Sequence, residues 1–239
     1  MLVDVVANLT YNYRDDWLSK VHTNGPNVET SSVCILHCQM CFRNKINDPK
    51  GSDENNEFLE SLKQTEVLSL ENFEKLLSFF QSVTLCGNYS DPVYWKHLKS
   101  AFELMNQPKY QHKRMIINTA AHAPNIEWYQ EAFKLASTKV EWRFGLDGLV
   151  HNADTYRQGQ NTQLILDAML LGANMGKPIT WQYIVMEYNK DDLERAKDIA
   201  KKNHILFRQV YSDRTGSSKN KEKLKLVKGN NQDKVFTYY

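Results

Sequence analysis

Residues 114–147 read RMIINTAAHAPNIEWYQEAFKLASTKVEWRFGLD, and this stretch sets the architecture. It opens on a β-type run (114–121), passes through a helical segment with Asn125 placed to cap it (125–137), and returns to a β-type run (139–147). The same unit recurs on both sides. Upstream, SLENFEKLLSFF (69–80) has serine at an N-cap position, SVTLCG (82–87) is a short strand ending in glycine, and PVYWKHLKSAFELMNQ (92–107) is helical. Downstream, NTQLILDAMLLGANMG (161–176) is a helix closing at glycine and PITWQYIVME (178–187) a strand. NKDDLERAKDIAKKNH (189–204) is another helix and ILFRQVY (205–211) a last strand. With NVETSSV (27–33) as a first strand, about six strands alternate with helices, which predicts an α/β fold with a parallel sheet covered by helices. Periodicity alone leaves open whether that sheet closes as a barrel, and no sequence repeat accompanies the structural one.

The chain has 239 residues, 41% hydrophobic and 24% charged, enough for one large domain with a full core. A net charge of +2 gives no strong pull toward nucleic acid or a membrane surface. No apolar run approaches the roughly 20 residues of a membrane span, and the first residues lack the basic-then-apolar pattern of a signal peptide. The expected organisation is an N-terminal arm (1–27), a core domain (28–213) and a basic C-terminal extension (214–239), with a polar, exposed loop over 44–58. The extension is expected to be solvated; the alternative is that it covers the open end of the sheet or meets an anionic substrate.

Four unevenly placed cysteines do not form a disulfide framework, which points to a reducing, cytoplasmic setting. Three of them lie in CILHCQMC (34–41), spaced C-x₃-C-x₂-C. Three readings stay open on the residues alone. The thiols are small hydrophobes on one helix face. Alternatively they bind zinc, with His37 or a distant residue as fourth ligand. In the third reading they hold three irons of a [4Fe–4S] cube and leave the fourth iron for a ligand that is not protein.

C-x₃-C-x-Φ-C resembles the hallmark of the radical S-adenosylmethionine enzymes. Cys34, Cys38 and Cys41 match the metal ligands, and Met40 matches the Φ position. In that family the open iron chelates the amino and carboxylate groups of S-adenosylmethionine. CGNYSDP (86–92) is similar to the family's glycine-rich motif after the second strand, in a Gly-Asn-x-Gly-Asp-Pro variant, with Ser90 in place of glycine. By that match Gly87, Asn88 and Asp91 belong to the cosubstrate site. FGLDGLVHNADTYRQG (144–159) resembles the fourth-strand segment S-x-D-G-x₄-H-x₃-R-G, which implies roles for Gly145 and Asp147 and gives Arg157 the cosubstrate's carboxylate. His151 is near the family's histidine or is a plain loop residue. Thr119 matches a third-strand position that meets ribose or methionine, and Gln182 and Ile184 match fifth-strand positions beside ribose and adenine.

The resemblance, which spans about residues 28–212, implies a partial (β/α)₆ TIM-like barrel with the cysteine loop at the C-terminal ends of the strands. It implies two cofactors, a [4Fe–4S] cluster and S-adenosylmethionine, with reductive cleavage to a 5′-deoxyadenosyl radical that takes hydrogen from a peptide or small polar substrate. It also implies a flavodoxin- or ferredoxin-type electron donor and an oxygen-sensitive centre. The chain is similar to the core of SPASM/twitch-type members, yet has no cysteine after Cys86. Auxiliary clusters are therefore not expected, which favours epimerisation, rearrangement, coupling or cleavage. Cys86 itself reads as a buried strand residue or a hydrogen-atom donor. The competing class is a non-catalytic iron–sulfur protein derived from the same family.

Overall fold

The computed structural model describes residues 25–41, 67–87 and 90–211, and the backbone of 234–236. The N-terminal arm, the polar loop, Asn88 and most of the basic extension lie outside these residues.

The described residues form one seven-stranded sheet in which spatial order equals chain order. Its strands are β1 (Asn27–Glu29), β2 (Ser82–Cys86), β3 (Arg114–Thr119), β4 (Val140–Gly145), β5 (Ile179–Ile184), β6 (Leu206–Val210) and β7 (Lys234–Phe236). β1 to β6 pair parallel, and β7 joins β6 antiparallel. The helices between them are α1 (Leu70–Phe79), α2 (Leu98–Met105), α3 (Ile126–Leu135), α4 (Thr162–Asn174) and α5 (Leu193–Lys202).

Parallel strands covered on both faces read as continuous apolar runs. These do not. One face carries Val83 and Leu85, Met115 and Ile117, Val140, Trp142 and Phe144, Trp181 and Tyr183, and Phe207, all buried. This face packs on the helices: Trp142 lies 5.1 Å from the Phe133 ring of α3, 5.7 Å from Phe102 of α2, and stacks at 5.9 Å on Phe144. The alternate positions carry Thr84, Cys86, Asn118, Glu141, Arg143, Gln182 and Arg208. Residues from β1 and β6 line the same cavity on that polar side. In a flat sheet those two strands would stand about 24 Å apart, at about 4.8 Å per step. The sheet therefore curls into the partial (β/α)₆ barrel, its helices outside and its polar face within.

The expected caps are present. Ser69 Oγ accepts from Asn72 N at 3.1 Å, and Asn125 Oδ1 accepts from Trp128 N at 2.9 Å. Gly176, at φ +70°, ends α4 in the left-handed conformation that glycine tolerates. Two helices start later than their sequence pattern suggests. Residues 92–94 form a 3₁₀ turn and α2 begins at Leu98, because the buried Trp95 is extended and its indole N–H donates to Leu68 O at 2.7 Å. A 3₁₀ turn over Lys190–Asp192 likewise precedes α5. At the far end, 234–236 pairs antiparallel along β6. Among the described residues no helix is long and apolar enough to cross a membrane.

Phe133 is fully buried against Trp142 and Tyr129. Phe133→Ala is expected to cost about 3–5 kcal/mol, read as a lower urea midpoint at unchanged slope.

Candidate functional site

The C-terminal ends of the strands open onto a cavity of about 540 Å³. Of the residues singled out from the sequence, Gly87, Asp91, Thr119, Gly145, Arg157, Gln182 and Ile184 all line it. A second cavity of about 600 Å³ lies at the opposite ends of the strands, lined by Arg114, Lys139, Glu141, Lys177 and His204 among others. It contains none of the expected residues, and its larger size does not make it the better candidate.

Asp91 is a brace. Its buried carboxylate accepts four hydrogen bonds from the chain itself: Thr119 Oγ1 at 2.6 Å and Val93 N at 3.2 Å on one oxygen, Ala120 N and Ala121 N at 2.8 Å each on the other. Burial pushes the Asp91 carboxyl above the usual range, and these donors act against that. One side chain thus fixes the turn after β2 to the end of β3, with the Thr119 hydroxyl turned to the carboxylate. Ser90, the departure from the glycine motif, has its own partner: its N–H and Oγ donate to Glu29 Oε2 at 3.2 and 2.8 Å. Glu29 Oε1 in turn accepts from Cys86 Sγ at 3.3 Å, so the buried Cys86 is both a strand residue and part of the cavity wall. Where Gly87 sits, a Cβ would come within 2.7 Å of Ser90 O, which explains glycine at this turn.

Asp147 braces the other side. It is fully buried, its Oδ1 accepts from Ile184 N at 2.7 Å, and its Oδ2 lies 2.7 Å from Arg157 Nε. That contact has ion-pair distance without hydrogen-bond alignment. Burial raises the Asp147 carboxyl and opposes the Arg157 charge, while Asp147 holds the guanidinium proton above its ordinary value. The guanidinium lies over Gly145, where a Cβ would stand 2.8 Å from Nη2. His151 is largely exposed, 3.3 Å from Asp192, and belongs to the loop.

The cysteine stretch is a non-helical loop, so the helix-face reading of its spacing does not hold. It is tied down on both sides by backbone bonds. Val33 O accepts from Asp91 N at 2.8 Å; His37 N donates to Gln158 O at 2.9 Å and Gln39 N to Tyr156 O at 3.3 Å. Cys41 N closes a turn on Cys38 O at 2.9 Å. Cys38 and Met40 are buried, Cys34 and Cys41 half-buried, His37 exposed, and none of the four cysteines is in a disulfide. Burial pushes the Cys38 thiol up to about 11, with Cys41, Cys34 and Asp147 adding and Arg157 opposing. The Cys38 sulfur thus lies within electrostatic reach of Cys34, Cys41 and Arg157. Among the described residues no group of three or more His, Cys, Asp or Glu is drawn together tightly enough to hold a metal ion. The donors nonetheless fit an iron–sulfur cluster: three soft thiols on one loop, with the Arg157 cation acting against the rise at Cys38.

Neither family models nor curated proteins match the chain. Solved structures do. SuiB from Streptococcus suis bound to S-adenosylmethionine aligns with a TM-score of 0.52 at 17% identity, covering 83% of this chain and 43% of SuiB. SuiB bound to precursor peptide SuiA aligns at 0.54 and 18%, covering 86% and 45%. Histidine-tagged anSMEcpe with bound AdoMet aligns at 0.53 and 15%, covering 79% and 52%. The fold is that of the radical S-adenosylmethionine enzymes. The chain spans about half the length of these radical S-adenosylmethionine-fold structures.

Several residues escaped the sequence reading. Gln160 Nε2 donates to Ala120 O at 2.5 Å and Gly145 O at 2.9 Å, tying the ends of β3 and β4. Asn189 and Tyr188 both donate to Asp147 O, at 3.1 and 2.5 Å. Glu29 had no flanking motif to mark it. Only the polar alternation along β3 to β6 could have pointed to Asn118, Arg143 and Arg208.

Asp91→Asn keeps the size of the side chain but replaces one oxygen with a donor. At least one buried N–H then loses its acceptor, and a loss of about 2–4 kcal/mol is expected in urea unfolding. Below the cavity, Glu141 accepts from Arg143 Nε at 2.6 Å and Nη2 at 3.1 Å, and from Thr180 Oγ1 at 3.1 Å. Burial acts to raise its carboxyl, but these partners hold it below the ordinary 4.5. Its contribution is therefore fully present above about pH 4.5 and lost as pH falls through the lower folded value. Stability curves of wild type and Glu141→Gln, measured by denaturant midpoint against pH, should converge on the acid side.

Proposed function

We propose that this protein is a radical S-adenosylmethionine enzyme in which a [4Fe–4S] cluster reductively cleaves S-adenosylmethionine, so that hydrogen is abstracted from a peptide or small polar substrate. The observation that carries the reading is the docking of a three-thiol loop between the Asp91 turn and the Arg157 segment, above a polar cavity. Further support comes from the S-adenosylmethionine bound in SuiB and anSMEcpe, and from the precursor peptide bound in SuiB.

In this reading Cys34, Cys38 and Cys41 hold the cluster, and Met40 packs beneath it. When bound, the cluster and its cosubstrate supply one-electron cleavage of a carbon–sulfur bond. The chain's own residues bind and orient. Arg157, aimed by Asp147 and given room by Gly145, receives the cosubstrate's carboxylate as a planar fork. Gly87, and Asn88 by its place in the motif, serve the amino group, with Asp91 and Thr119 holding the segment after β2 in place. Gln182 and Ile184 meet the nucleoside, one by hydrogen bond and one by apolar contact. A flavodoxin- or ferredoxin-type donor supplies electrons in a reducing, cytoplasmic setting.

Anaerobic reconstitution with iron and sulfide, followed by dithionite and S-adenosylmethionine, should give a brown protein that forms 5′-deoxyadenosine. Single Cys→Ala changes at 34, 38 or 41 should bleach the colour or reduce the product to background. An intact, reducible cluster that yields no 5′-deoxyadenosine would instead select the non-catalytic iron–sulfur role, and stoichiometric zinc without iron would reject both. Arg157→Lys keeps the charge but loses the fork; it should weaken S-adenosylmethionine binding about tenfold while the cluster absorbance stays unchanged.

A further inference from the structure

We propose that the second cavity, at the N-terminal ends of the strands, is a separate ligand site that takes a small molecule carrying a phosphate group on an apolar body. The cavity measures about 600 Å³, room for one drug-sized molecule, and the proposed reaction makes no use of it. Its cations come from the feet of four successive strands. Arg114 opens β3 and Lys139 precedes β4; Met115 pairs with Val140, so the two stand level on neighbouring strands. Lys177 lies two residues before Ile179, the first of β5, and His204 two before Leu206, the first of β6. With strands about 4.8 Å apart, the four groups are gathered across about 14 Å.

The ordinary reason for cations here is the negative end of each helix that finishes on this side. Lys177 serves that purpose, since its Nζ donates at 2.7 Å to the carbonyl of Ala136, the C-cap of α3. The other three do not. Among the described residues the side chains of Arg114, Lys139 and His204, all exposed, have no hydrogen-bond partner. Glu141, the one carboxylate among the described lining residues, is already held by Arg143 and Thr180.

His204 carries the second observation. At φ +54° it is the only left-handed non-glycine among the described residues. Ile205 N donates to Ala200 O at 2.9 Å and His204 N to Lys201 O at 3.3 Å, so His204 follows the C-cap Asn203 at the position where a helix end favours glycine. α4 closes with the same two bonds and does have glycine there, Gly176. The imidazole is thus kept where the backbone disfavours a side chain, and it lines this cavity. A phosphate monoester brings about −1.5 to −2 charge and three acceptor oxygens, enough to accept from the Arg114 fork, the Lys139 ammonium and the His204 ring; a carboxylate, with one charge and two oxygens, matches fewer of them. Pro178, Ile179 and Leu206 supply apolar wall for the rest of the molecule.

The test is calorimetric titration of the full-length chain with phenyl phosphate, phenol, inorganic phosphate and hexaglutamate. Phenyl phosphate should bind about tenfold more tightly than phenol or inorganic phosphate. Arg114→Gln and Lys139→Gln, both at exposed positions, should each weaken it by about three- to tenfold. His204→Gly should weaken it too, yet raise the urea midpoint, because glycine relieves the left-handed backbone; a histidine with a merely structural role would not separate binding from stability in this way. Inorganic phosphate binding as tightly as the ester would overturn the small-molecule reading in favour of a free anion, and hexaglutamate binding more tightly would overturn it in favour of an acidic peptide. Phenol matching phenyl phosphate, no binding of phenyl phosphate, or binding that all three variants leave unchanged would overturn the site itself.

Discussion

The structure depends on a division within each strand. Residues at even and odd positions face two media that differ in chemistry, one a packed aromatic layer against helices and the other a wet, hydrogen-bonding interior. Arg143 stands between Trp142 and Phe144 on β4, and Gln182 between Trp181 and Tyr183 on β5. A flat sheet would leave the polar side as an ordinary solvent face. Curling brings the polar groups of distant strands together, and the same residues become the walls of a binding cavity.

At the rim, buried carboxylates act as joints rather than as reactive groups. Asp91 and Asp147 stand on opposite sides of the cysteine loop, and each spends its oxygens on backbone N–H groups and one side chain. Four aligned donors act against the cost of burying Asp91, and at Asp147 the Ile184 N–H and the Arg157 charge do so. Each carboxylate fixes one chain segment that in turn holds the loop, the first through Val33 and the second through Tyr156 and Gln158. The loop has no regular secondary structure, so its position rests on these attachments.

Much of this was legible in the sequence. The strand and helix rhythm survives with boundaries shifted by a few residues, since apolar spacing, Ser69, Asn125 and Gly176 are local signals that tertiary contacts reinforce. The lining of the cavity was legible where a motif carried it, as at Gly87, Asp91, Gly145 and Arg157. What no motif marked was the partner of each motif residue. Glu29 meets Ser90 from 61 positions away and Gln160 reaches Ala120 across 40, pairings that exist only once the sheet has curled. The break at Trp95 was illegible for the same reason, because its indole answers a carbonyl on Leu68.

Because the strands lie side by side in the order they occur in the chain, each parallel pairing closes only one strand–helix–strand excursion. Such a topology can grow from one edge, each new strand docking on a template already made, even while the ribosome is still adding residues. β7 is the exception, since it returns to β6 across a long intervening segment and in the reverse sense. The wall that bears Arg208 and Val210 would therefore acquire its outer support only after the six parallel strands have paired.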